Sequence, residues 1–146
     1  MKRYRFRFET LLHFRGHVEE LLMTEYRLLK SSVEQGELSL DALVALYDCK
    51  ADELTQLAEV TPVEFLTKRA FIGLIKERIG AEEEELYAMR SAARLKQEEL
   101  LEASKARKVL DIVKEREARQ HREAVEKEEQ AALDEYALRC SRKGVC

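Results

Sequence analysis

The sequence predicts an all-α protein, an elongated antiparallel two-helix coiled coil whose second helix is longer and extends beyond the first. Three observations predict it. Charged residues make up 38% of the 146 and aromatics only 7%, with no Trp, so the apolar residues are too diluted for a thick core and should form narrow seams along helices. A 3-4 spacing of apolar residues runs almost without a slip along both halves of the chain. One proline, Pro62, is the only one in the sequence, and it falls between the two periodic stretches.

The first element follows from its seam: Leu22, Tyr26, Leu29, Val33, Gly36, Leu40, Leu43, Tyr47, Lys50, Leu54 and Leu57. Upstream, Phe8, Leu11, Leu12, Phe14 and Val18 continue an apolar face less strictly. A helix is expected over about 9–57. Gly36 weakens a helix by about 1 kcal/mol relative to Ala, and Ser39 is a possible cap for a new helix. Because the register passes straight through, one helix with a soft point is favoured over two.

The turn is expected at 58–61. Thr61 can accept from the backbone three residues on, Pro62 loses nothing by lacking an N–H in the first turn, and Glu64 can reach back to the Thr61 amide. Val60 and Phe65 are placed to staple the entry. The second helix, about 62–138, carries the seam Phe65, Ile72, Ile75, Ile79, Glu82, Leu86, Met89, Ala93, Lys96, Leu100, Ala103, Arg107 and Leu110. Residues 139–146 are expected to be a flexible tail, and the whole, 1–146, a single coiled-coil domain.

Folding the two seams together sets Leu54 against Phe65, Tyr47 against Ile72, Leu40 against Ile79, Val33 against Leu86 and Tyr26 against Ala93. Gly36 then falls beside Glu82, which predicts a thin point in the packing. At 1.5 Å per residue the helices are roughly 70 Å and roughly 115 Å long. Cover from the first helix should end near Leu110, opposite Phe8. Beyond it the seam fades to Ala118, Val125, Ala132 and Tyr136 among dense charge, and a lone helix of that kind is marginal in water.

No chemistry-bearing constellation stands out. His13 and His17 share a helical face, but no third ligand joins them at a suitable spacing, so solvated histidines are expected and no metal site. The five glycines are isolated, which excludes a phosphate-cradling loop, and no nucleophile–base set can be assembled. Neither an enzyme nor a cofactor is expected. Cys49, Cys140 and Cys146 make an odd count without a framework, which suits a reducing compartment. No apolar run is long enough to span a membrane, and the basic start lacks the apolar stretch of a signal peptide. A net charge of −3 argues against nucleic acid as a partner. The alternating "RYRFRF" of Arg3 to Phe8 suggests an arm that docks on an acidic protein surface, or simply the start of the helix face.

Three stretches together resemble the flagellar export protein FliJ family: "YRFRFETLLHFRGHVEELL", "TPVEFLTKRAFIGLIKERI" and "KARKVLDIVKEREARQHREAVEKEEQAALDEYALR". They span nearly the whole chain. The resemblance implies a soluble, non-enzymatic component of the flagellar type III export apparatus, similar to the coiled-coil stalk of rotary ATP synthases. It implies a cytoplasmic protein, peripherally associated with the cytoplasmic face of the membrane at the flagellar base. Its implied partners are the hexameric flagellar export ATPase, whose assembly it would promote, the cytoplasmic domain of the export gate membrane protein, and export chaperones that it would escort. Carried onto this sequence, the gate-facing residues are Leu40, Leu43, Tyr47, Phe71 and Ile75. Tyr47 and Ile75 also lie on the seam, so packing competes with binding there. Gly36 and Glu82 depart from the polar amide- or imidazole-type side chains more usual in the family. For the ATPase end the candidates are Leu11, Leu12, Val18, Val113, Val125, Leu133 and Tyr136. Two alternatives stand beside this: an injectisome stalk of like architecture, and a structural coiled coil that self-associates through 112–138. The small stripe Ala118, Val125, Ala132 makes a weak zipper.

Overall fold

In a computed structural model, described here for residues 4–143, the chain forms two helices, α1 (Glu9–Thr55) and α2 (Pro62–Lys143), with no strand among the described residues. The two-helix, all-α hairpin with a longer second helix is as the periodicity predicts. α1 is continuous through Gly36 and Ser39, because the seam on either side stays in one register and holds the glycine inside the helix.

The start of α2 carries the expected capping box. The Thr61 amide donates to Glu64 Oε2 at 3.2 Å, and the Glu64 amide donates to Thr61 Oγ1 at 3.3 Å. α1 ends at Thr55, two residues short of the expected 57, where the Thr55 hydroxyl donates to the Asp52 carbonyl at 2.8 Å. Leu57, Val60 and Phe65 then line a recess of about 540 Å³ together with Leu54, Ala58, Pro62 and Leu66. The connection is thus apolar on its inner side, which places Val60 and Phe65 together as a staple would.

α2 continues through Lys143, five residues past the expected 138, so the expected flexible tail is helical over 139–143. Leu138, Arg139 and Arg142 are all good helix formers, Arg139 pairs with Glu135 one turn back, and cations near a helix C-terminus are favoured. The rest of that tail, 144–146, lies outside the described residues.

The chain divides into two compact units. A hairpin unit comprises Glu20–Leu101. A terminal unit comprises 1–19 and 102–146, of which 4–19 and 102–143 are described. In the hairpin unit the core is small: Ile75 and Leu86 are buried, the latter only 3% exposed. A Cβ added to Gly36 would lie 3.1 Å from Leu86 Cδ1. Gly36 therefore is not the thin point expected beside Glu82. It is where α1 lacks a side chain so that Leu86 can seat closely, while Glu82 turns along its own helix to Arg78. A knob on one helix sits between two successive seam residues of the other, so Leu86 meets Gly36, one seam position on from the Val33 that one-to-one pairing assigns it.

The charged residues on the seams are all paired. Lys50 bonds Glu53 at 2.9 Å, and Lys96 reaches Glu25 on α1 at 3.0 Å and Glu99 on α2 at 2.7 Å. Arg107 lies 3.1 Å from Glu19 and 3.5 Å from Asp111. The Glu19 Oε2 and Arg107 Nε atoms are buried and close, but misaligned for a hydrogen bond, so their attraction is mainly Coulombic. Together with Arg90–Glu37 at 2.6 Å in the hairpin unit and Lys114–Glu9 at 2.9 Å in the terminal unit, these pairs run antiparallel within each unit.

Candidate partner-binding surfaces

The terminal unit departs from expectation at its N-terminal arm. Residues 4–8 precede α1, and Phe6 is buried to 4% exposure. The Tyr4 hydroxyl lies 3.3 Å from the Lys114 carbonyl and 3.4 Å from Glu117 Oε2, and its ring sits 5.6 Å from that of His121. Lys114 Nζ, already bonded to Glu9, stands 6.0 Å from the Phe6 ring centroid. The arm docks on its own α2, and cover extends past the expected limit at Leu110 to His121. Phe6 supplies the reason: burying its ring holds the non-helical residues 4–8 against the helix. Desolvation raises the Tyr4 pKa, and the neighbouring Glu117 carboxylate, as charge and as hydrogen-bond acceptor, raises it further.

Past Val125 the helix has no such cover. Every residue from Glu126 to Arg139 is exposed, with Leu133 at 63% and Tyr136 at 70%. The ATPase candidates all fall in the terminal unit. Leu12, Val18, Val113 and Val125 are half-buried, whereas Leu11, Leu133 and Tyr136 are exposed. Phe14, expected on the apolar face of α1, is exposed, and three exposed apolar residues of this unit, Val109, Ile112 and Leu138, were not among the expected ones. Their signal was present as apolar residues standing off the seam.

The gate candidates all fall in the hairpin unit. Ile75, 6% exposed, is occupied by packing between the helices and offers no free surface. Leu40, Leu43 and Tyr47 are half-buried. Phe71 is exposed and lines a recess of about 320 Å³ with Lys50, Glu53, Thr67, Lys68 and Ile72. The Lys50 ammonium at that recess lowers the Glu53 pKa, chiefly through their hydrogen bond. Nearby, Val63, Leu66 and Leu74 are more exposed than any residue of the expected set.

Other groups do not converge. His13 Nε2 lies 3.8 Å from Glu9, and among the described residues no three His, Cys, Asp or Glu side chains are placed to hold a metal. Cys49 faces Glu53 at 3.8 Å, and Cys140 is a free thiol; Cys146 lies outside the described residues. Among the described residues no helix is long and apolar enough to cross a membrane. Both units present apolar residues ringed by charge, an arrangement suited to holding other proteins.

No curated protein and no solved structure matched the chain. A protein-family comparison did: residues 4–145 match the family described as Flagellar FliJ protein. With nearly its whole length matched, the chain belongs to the flagellar FliJ family, a component of the flagellar type III protein export apparatus.

Proposed function

We propose that this chain is the stalk and adaptor of the export apparatus, a single non-catalytic coiled-coil domain at the cytoplasmic face of the flagellar base. Its terminal unit binds the hexameric export ATPase and promotes assembly of the ring. Its hairpin unit contacts the cytoplasmic domain of the export gate through Leu40, Leu43, Tyr47 and Phe71, with Ile75 holding that surface from beneath. Export chaperones are escorted on the same molecule.

The observation that carries this reading is the exposed stretch from Glu126 to Arg139. A helix with charge on all sides and isolated apolar residues such as Leu133 and Tyr136 has no reason to stay uncovered unless a partner covers it. A ring of six subunits meets its central shaft from several directions, which suits a helix without a single dominant face. Light-scattering mass of the chain mixed with the export ATPase, with ATP hydrolysis followed alongside, tests it. A ring-sized complex and faster hydrolysis are expected, both lost when residues after Val125 are removed. An unchanged complex and rate after that removal would refute the assignment of the extension.

A further inference from the structure

We infer that one side of the terminal unit is a docking face for the α2 extension of a second copy of this chain, so that the free protein forms a two-fold dimer.

The argument starts from the seam of that unit. Glu9 and Glu19 on α1 pair with Lys114 and Arg107 on α2, Ala103 is buried, and Leu12, Gly16 and Leu110 are half-buried at seam spacing among them. Successive residues of a helix turn by about 100°. Because the helices are antiparallel, residues one position before a seam residue fall on the same side of the pair on both helices. On that side lie Leu11, Arg15 and Val18 of α1, and Glu102, Ala106, Val109 and Val113 of α2. The opposite side, one position after each seam residue, carries His13, His17, Ser104, Lys108, Asp111 and Glu115. The first side is mainly apolar with a few charges, and the other is polar throughout. Phe14 and Ile112, each two positions past a seam residue, extend the apolar side around the back, and both are more than half exposed. A soluble helix pair has no use for such a one-sided face unless something covers it.

The occupant is indicated by charge and by length. Arg15, one position before Gly16, and Arg116, three positions past Val113, stand on the same side. The exposed extension is acidic: Glu126, Glu128, Glu129, Asp134 and Glu135 against Lys127 and Arg139. It presents Val125, Ala132 and Tyr136 along one stripe, with Leu133 beside them. From Glu126 to Arg139 it is about 21 Å long, enough to span the face from Ala106 to Arg116, about 16 Å. The placement is also self-consistent. With Leu133 of one α2 beside Val109 of the other, Val109 of the first falls beside Leu133 of the second. Both contacts then close around one two-fold axis near His121. The dimer would leave neither the extensions nor the apolar sides uncovered. It stands independently of the ATPase reading; where both hold, the ATPase must displace the second copy.

Sedimentation equilibrium of the full chain over a range of concentrations tests this. The mass is expected to rise from 17.0 kDa towards twice that value. Ile112→Glu on the face and Leu133→Glu on the extension should each weaken dimerisation by at least about tenfold, since each buries an unpaired charge in the contact. Both residues are exposed, so helicity by circular dichroism should not change. Mixing the two variants should restore a dimer, because one extension and one face remain unaltered and can meet. A monomer at the highest soluble concentration, a dimer indifferent to both substitutions, or a mixture that stays monomeric would each overturn the inference.

Discussion

The hairpin unit and the terminal unit use the same two helices in opposite ways. In the hairpin unit the contact includes a close apolar part, with Leu86 seated against the bare backbone of Gly36 and Ile75 buried, beside the cross-helix pairs Lys96–Glu25 and Arg90–Glu37. In the terminal unit the seam includes the charge pairs Glu19–Arg107 and Glu9–Lys114, its main buried aromatic comes from a non-helical arm, and α2 runs on uncovered. Close packing holds one register against alternatives, whereas charge pairs and a short arm leave surface for others to take. The difference teaches where stability resides and where binding is expected.

The largest effect should come from Leu86→Ala. Removing a side chain only 3% exposed from so small a core should cost about 2–4 kcal/mol, and thermal unfolding followed by circular dichroism measures it. A loss below 1 kcal/mol would mean that the hairpin unit is no better packed than the terminal one. Gly36 sharpens the same point. Gly36→Leu should destabilise by about 1–3 kcal/mol through overpacking. Gly36→Ala in the Leu86→Ala background should instead stabilise by about 1 kcal/mol, since only the helix-propensity gain then remains. If the two substitutions behaved additively, the contact between them would not be the reason for the glycine.

In the terminal unit the response should be local. Phe6→Ala should release the arm, with faster amide exchange over residues 114–121 and little change in the unfolding of the hairpin unit. A cooperative loss of the whole fold would show that the arm is part of the core. Smallest is the pH effect. The Tyr4 pKa is raised on docking, so the arm's attachment is at full strength below the ordinary tyrosine value of about 10. It weakens as pH rises through the raised folded value, because the phenolate forms more readily when the arm is free. Amide exchange over 114–121 at alkaline pH checks the sign, and Tyr4→Phe should abolish the dependence from this group.

Much of this was legible in the sequence. Periodicity gave two helices, and Thr61, Pro62 and Glu64 gave the capped turn, because caps and heptads are local patterns. Gly36 was misread because a missing side chain looks the same whether it leaves a gap or admits a neighbour; only the position of Leu86 on the other helix decides. Phe6 was missed as a buried residue because a non-helical arm has no helical period to reveal which side is inward. Of the partner surfaces, the exposed Leu133 and Tyr136 could be read from a fading seam. Phe14 was legible on the apolar face of α1, whereas Val109 and Ile112 stand off the seam and a reading by seam alone does not single them out.

The most direct measurement is hydrogen–deuterium exchange on the intact chain, with and without the export ATPase, at a concentration where the chain is monomeric. Alone, residues 126–139 should exchange fastest within α2 and the hairpin unit around Leu86 slowest. With the ATPase, protection should appear in 126–139. Protection confined to the hairpin unit, with the extension exchanging as freely as before, would contradict the assignment of the two regions.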